Sequence, residues 1–304
     1  MSTFAPGLVH TPVTPFMPDR RIDHDCYARL IAFHIRNGAD ALALPMHAGE
    51  SVSLTDAERR VFLEFAIKSV ASRVPVIAHV SEAGTSIAAD LARHAEAASA
   101  AAIVATTPYY WTPPAAMLLE HFAQIGAAVN IPFYIYNAPE EMHGTRISTD
   151  LCLELVERVA NFAGVVDLSL DWQFMIDLLT YARRKRPDFA LIAGTEHLVS
   201  AAAIGATAMF APLAGIAPRL VRELYDRCRQ DRLAEARPAQ EAIAAVRHLL
   251  KGGGVSSLKA ALSAMGRDCG VPRPPLHALD AASATRLAAD LAAIAALRDE
   301  PHGW

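Results

Sequence analysis

The chain is poor in the features that would send it to a metal, a membrane or a nucleic acid. Its four cysteines, Cys26, Cys152, Cys228 and Cys269, are far apart and form no C-x-x-C pair. That spacing excludes a zinc knuckle and a disulfide framework and fits a reducing compartment. Lysine and arginine nowhere gather into a block and the formal net charge is −4, so the electrostatic footprint of a nucleic-acid binder is missing. No apolar stretch is long and pure enough to span a bilayer, and Met1–Pro6 lacks the basic segment and apolar run of a secretory signal. A cytoplasmic protein acting on a small molecule is the expectation, with no metal and no cofactor.

What is present is alternation. Eight short apolar runs occur at Gly7–Val13, Ala41–Leu44, Val74–Val80, Ala102–Thr106, Ile131–Tyr136, Phe162–Asp167, Phe189–Ala193 and Ala206–Pro212. Between them lie stretches with apolar residues three and four apart, such as Tyr27–Ile35, Glu58–Val70, Ile87–Ala98, Met117–Ala128, Leu151–Val159 and Phe174–Ala182. Strand and helix repeated eight times predict an α/β fold of the (β/α)8 TIM-barrel class over residues 1–224. Beyond it the chain is alanine-rich and helical in period, in the pieces Ala234–Leu250, Val255–Met265 and Ala281–Leu297. This predicts a C-terminal helical bundle over 225–304. Its punctuation is Gly252-Gly253-Gly254 and Pro272-Arg273-Pro274-Pro275.

A parallel barrel carries its chemistry at the carboxyl ends of its strands. The polar residues there are His10, Thr11 and Thr14 after the first run, His47 and Glu50 after the second, and His79 at the third. Tyr109 and Tyr110 follow the fourth, Tyr136 and Asn137 end the fifth, Asp167 ends the sixth, and Thr195, Glu196 and His197 follow the seventh.

At these residues the chain resembles the dihydrodipicolinate synthase / N-acetylneuraminate lyase family. The resemblance rests on five stretches in order: Thr11-Pro12-Val13-Thr14-Pro15-Phe16; His47-Ala48-Gly49-Glu50-Ser51 with Leu54-Thr55-Asp56-Ala57-Glu58-Arg59; Pro108-Tyr109-Tyr110; Tyr136-Asn137-Ala138-Pro139; and Val255–Leu262. It implies a lysine at the end of strand six that forms a Schiff base with a 2-keto acid. An iminium is a better electron sink than a ketone, and burial frees the amine to attack. It further implies a tyrosine in Tyr-Asn-x-Pro that shuttles the proton, helped by two threonine hydroxyls after strand two.

The chain departs from that pattern where the chemistry lies. Aligned on Asn161-Phe162-Ala163-Gly164, Val166 takes the lysine's place. His47 and Ala48 replace the two threonines, so a relay hydroxyl is gone and an imidazole has arrived. Lys68, Lys185, Lys251 and Lys259 are expected to be solvated or interface residues, not strand-end amines. Where dihydrodipicolinate synthases carry an arginine for a second carboxylate this chain has Glu140-Glu141-Met142-His143, which argues against a role in lysine biosynthesis. The expected site then has Tyr136, His47 and Tyr110 as acid–base groups, lined by Ala48, Gly49, Asn137, Val166 and Glu196. The expected reaction is an aldolase- or dehydratase-type lyase step without an imine. A keto-acid-binding protein that has lost turnover is the competing reading. A metal held by His47, Glu50 and His79 with Asp167 or Glu196 is a weaker alternative, since no ligand spacing supports it. The resemblance also implies a homodimer or homotetramer.

Overall fold

A computed structural model describes residues 4–109, 112–142 and 145–304. Eight parallel strands close into one barrel in sequence order: β1 (Leu8–His10), β2 (Ala41–Leu44), β3 (Val76–His79), β4 (Ala102–Thr106), β5 (Phe133–Asn137), β6 (Phe162–Asp167), β7 (Ala190–Gly194) and β8 (Ala208–Ala211). β8 pairs back onto β1, so no edge is left open. All eight apolar runs of the sequence become these strands, because a strand buried on both faces needs no polar side chain on either.

The helices outside are α1 (His24–Arg36), α2 (Asp56–Val70), α3 (Thr85–Ala97), α4 (Ala115–Ala127), α5 (Pro139–Met142), α6 (Thr149–Arg158), α7 (Trp172–Lys185), α8 (Leu198–Ala203) and α9 (Pro218–Arg229). Their starts follow local chemistry. The Thr55 hydroxyl accepts from the Glu58 amide while Glu58 bonds back to the Thr55 amide, a capping box that opens α2. Asp23, Ser148 and Asp171 cap α1, α6 and α7 in the same manner.

The helices α10 (Leu233–Leu250), α11 (Gly254–Ala264) and α12 (Ala281–Ala293) follow the barrel. Val246, Leu258 and Leu287 join the same apolar cluster as barrel residues such as Leu8 and Leu224, so this segment shares the barrel's outer core. The expected boundary at 224/225 falls inside α9, which runs unbroken to Arg229; the barrel's last helix therefore ends there.

A second cluster fills the barrel's interior with Val9, Ala41, Ala43, Ile77, Val104, Tyr134, Tyr136, Val166, Ile192 and Phe210 among its members. The two clusters divide the strand residues by parity, as the twofold period of a strand requires. In β5, Tyr134 and Tyr136 face in while Phe133 and Ile135 face out. In β6, Val166 faces in and Val165 out. Among the described residues no helix is long and apolar enough to cross a membrane.

Candidate active site

The inward layer at the strand ends is set by register. Thr106 of β4 lies opposite Tyr136 of β5, Tyr136 opposite Val166 of β6, and Val166 opposite Ile192 of β7. Thr106, Tyr136 and Val166 therefore sit side by side on the inner wall at the mouth. Tyr136 is 6 % exposed and Val166 is fully buried, with the Tyr136 ring 6.4 Å from that of Phe210 across the barrel. On β3 the inward position after Ile77 is His79, paired in register with Val104. Sequence reading left Thr106 out, although the parity of β4 marks it as inward.

The turn after β2 holds His47, Ala48 and Gly49 in a 3-10 helix that ends at Glu50. His47 is exposed on it, while Ala48 and Gly49 are buried. Gly49 is wedged tightly: a Cβ there would meet the Pro12 carbonyl at 3.2 Å and the Thr14 hydroxyl at 3.3 Å. The Thr14 hydroxyl donates to the Gly49 carbonyl at 2.6 Å, and the Gly49 amide donates to the Met46 carbonyl at 2.9 Å. Gly49 thus shapes the turn, and its amide is already engaged.

Glu50 adopts a left-handed backbone, φ 54°, uncommon for a residue with a side chain. Its carboxylate is held from two sides, by the Lys259 ammonium at 2.6 Å and by the Arg273 amide at 2.8 Å. Lys259 in turn lies 4.4 Å from the centroid of the Phe16 ring and is 3 % exposed. Lys259 corrects the expectation of a solvated lysine: it is buried in an ion pair behind the 47–49 turn. Burial pulls its ammonium below the ordinary lysine value, with Glu50 pulling the other way. Lys68, Lys185 and Lys251 are exposed, and Lys185 pairs with Glu157. None of the chain's four lysines lies on a strand.

His79 is the most confined imidazole of the mouth. Its Nε2 is 2.7 Å from the Ser81 hydroxyl, which also accepts the Thr106 amide at 2.8 Å. Burial first, then the charge of Arg59 and the neighbouring His47, push its pKa down to about 3. Arg59, reaching in from α2, donates to the carbonyls of His79 at 2.9 Å and Ser81 at 3.1 Å and pairs with Glu82 at 3.1 Å. Tyr109 donates to the other Glu82 oxygen at 3.0 Å, and its phenol is pushed up to about 12 by burial and that carboxylate.

Two expected residues face elsewhere. Asn137 is buried on the outward side of β5, where its amide donates to Asp167 at 2.6 Å. Asp167 also accepts from the Ser169 amide and hydroxyl, and burial pushes its carboxyl up to about 6. The Asn137–Asp167 pair locks β5 to β6 behind the wall that Tyr136 and Val166 present. His10 also faces out, its Nδ1 3.0 Å from Nδ1 of His34, both fully buried. Glu196 does lean over the mouth: its Oε2 lies 3.0 Å from the point a Cβ on the inward Gly194 would occupy. With Glu50 committed to Lys259 and Asp167 to Asn137, the residues weighed for a metal do not converge. Tyr110 and His143 lie outside the described residues.

A cavity of about 230 Å³ opens beside the mouth between α3, α4 and the loop after β4, lined by Thr85, Pro108, Met117 and His121 among others. The row from Thr106 to Val166 is not part of it. The chemistry available at the row is proton transfer by a phenol, two imidazoles and hydroxyls against an apolar wall.

An eight-stranded parallel barrel with its polar groups gathered at the strands' carboxyl ends is the architecture of a barrel enzyme of the lyase type. Comparison with known proteins makes the class specific. The Dihydrodipicolinate synthetase family model matches residues 5–294, and the chain belongs to that family. It is 31% identical over 288 residues to a DapA-like lyase of Halobacterium salinarum, covering 94% of this chain and 93% of the relative. It is 28% identical over 281 residues to the 4-hydroxy-tetrahydrodipicolinate synthase of Gluconacetobacter diazotrophicus, covering 90% and 93%. Among solved structures it superposes on dihydrodipicolinate synthase from Aquifex aeolicus with a TM-score of 0.90 at 26% identity, covering 95% and 97% of the two chains. A prophage protein of E. coli K12 from the dihydrodipicolinic acid synthase family, in complex with pyruvate, matches with a TM-score of 0.88 at 26% identity, covering 94% and 97%.

Proposed function

We propose that this chain is a lyase-type enzyme that acts on a small 2-keto or carboxylated substrate by acid–base chemistry, without a lysine Schiff base. The observation that carries this is the inner wall itself, where Val166 occupies the strand-six end beside Tyr136 and all four lysines lie elsewhere. Valine can exclude water and pack against a substrate, but it has no lone pair to attack a carbonyl. Electrons released from a C–H or C–C bond must then be stabilised as an enolate by hydrogen bonds rather than drawn into an iminium. Tyr136 is the proton donor in this reading, and His47, exposed on its turn, is the base or the cation for the substrate carboxylate. Ala48 and Gly49 shape the floor, and Glu196 closes the far side. A role in lysine biosynthesis is outside the proposal because Glu140 and Glu141 stand where a second carboxylate would need a cation, although relatives bear the name 4-hydroxy-tetrahydrodipicolinate synthase. The chain is taken to work in the cytoplasm as a dimer or tetramer of identical subunits.

Exchange of the C3 protons of pyruvate for deuterium, followed by proton NMR, tests the reading. Tyr136→Phe and His47→Ala are each expected to slow exchange by about 10²-fold or more, the usual size of a lost acid–base group, with a pH profile that follows His47 in the parent. Tight pyruvate binding with no exchange in the parent protein would make the chain a keto-acid-binding relative that has lost turnover.

A further inference from the structure

We infer that His79 and Ser81 form a proton relay that reloads Tyr136, replacing the hydroxyl lost where Ala48 now stands. The inference rests on the proposed acid–base reading and adds two residues to it. Both face the barrel interior, since His79 continues the parity of Ile77 and Ser81 continues that of His79. Both are nearly sealed from solvent, at 6 % and 2 % exposure. Ser81 touches the same Thr106 that lies beside Tyr136 in the barrel's register.

Counting protons shows why the pair is a relay and not a dead end. The Ser81 oxygen accepts the Thr106 amide, and one further bond joins it to His79 Nε2. If the hydroxyl donates that bond, the ring's proton sits on Nδ1, which is buried with no hydrogen-bond partner among the described residues. If the ring donates it, the hydroxyl proton of Ser81 is the one left over. One donor is unspent in either tautomer, and it lies at opposite ends of the pair. The Nδ1 end lies toward the β2 turn, because the Pro45 carbonyl and His47 both act on this ring.

The step balances as follows. Tyr136, having given its proton to the substrate, takes the Ser81 hydroxyl proton, so that one O–H bond breaks and another forms. The Nε2 proton moves to the Ser81 oxygen, and Nδ1 takes a proton from the protonated His47. The ring is neutral before and after, and no oxidant or other co-reactant is needed. Arg59 holds the backbone of both residues through the carbonyls of His79 and Ser81, and its charge disfavours a resting imidazolium that would block the relay.

Nitrogen-15 NMR of the histidine rings, which needs no substrate, tests the relay first. His79 is expected to be neutral from pH 5 to pH 8, with both ring nitrogens at averaged shifts from tautomer exchange, and Ser81→Ala is expected to freeze it in one tautomer. A single fixed tautomer or a charged ring in the parent protein overturns the relay. Pyruvate C3 exchange then tests its use: Ser81→Ala and His79→Gln are expected to lose at least about tenfold while still binding pyruvate, and Ser81→Thr to restore most of it. Parent-like exchange in Ser81→Ala also overturns the relay. If the parent protein does not bind pyruvate, the acid–base reading fails, and the ring spectra alone decide the relay.

Discussion

Lys259→Met is expected to destabilise the protein by about 3–5 kcal/mol, the range found when one partner of a buried ion pair is removed. The Glu50 side chain is fully buried, and Lys259 is its only charged partner among the described residues. Without the ammonium, the carboxylate keeps one hydrogen bond, from the Arg273 amide. The loss arises from stranding that charge, so removing it should restore most of the stability. Glu50→Gln in the Lys259→Met background still accepts the Arg273 amide, and this double variant is expected to recover to within about 1–2 kcal/mol of the parent. Urea unfolding midpoints of the two singles and the double measure this directly. A Lys259→Met variant as stable as the parent would show that the pair is not formed in solution. Because Glu50 ends the turn that carries His47, the single variant should also disturb the rim of the mouth.

Acidification is expected to unfold the protein well before its carboxylates titrate. His34 and His79 are held down to about pKa 3, and His10 well below its ordinary value, all by burial first. In the unfolded chain each takes a proton near pH 6.5. Between those limits the unfolded state holds more protons, so the stability from these three rings is complete above about pH 6.5 and drains as pH falls toward 3. Each ring contributes a slope of about 1.4 kcal/mol per pH unit. Asp167 opposes them: its carboxyl is raised to about 6, so the folded state binds a proton between pH 6 and 4 that the unfolded state releases. Three rings against one carboxyl leave a net slope of roughly 3 kcal/mol per pH unit, enough to remove an ordinary domain's stability of about 5–15 kcal/mol within a few units. The urea midpoint should fall steeply from pH 6.5 to 4.5, with net uptake of about two protons on unfolding at pH 5. A flat midpoint across that interval would mean that the buried rings are not neutral in the folded protein.

The barrel was legible because parallel strands covered on both sides are written as apolar runs, and each of the eight runs became a strand. The helices with three-and-four spacing were equally plain. The four-residue α5 and six-residue α8 are too short to show a period and went unread. The site was only half legible. Tyr136 and Asn137 were both expected to line it, yet neighbours on a strand face opposite ways, and the twofold period alone would have sent Asn137 outward to Asp167. The same rule would have removed His10 and admitted Thr106. The His79-x-Ser81 spacing was a usable local signal for two inward polar groups in succession. No local signal could have paired Glu50 with Lys259, because the fold brings them together across more than two-thirds of the chain.

Borohydride trapping with pyruvate, read as intact mass and then by peptide mapping, tests most directly whether imine chemistry is absent, with a lysine-bearing member of the family treated alongside. The expected result is a reduced adduct on that relative and none on this chain, in keeping with Val166 on the inner wall and Lys259 tied to Glu50. An adduct mapped to Lys259, or to any other lysine here, would contradict it and make the protein a Schiff-base lyase with a relocated amine.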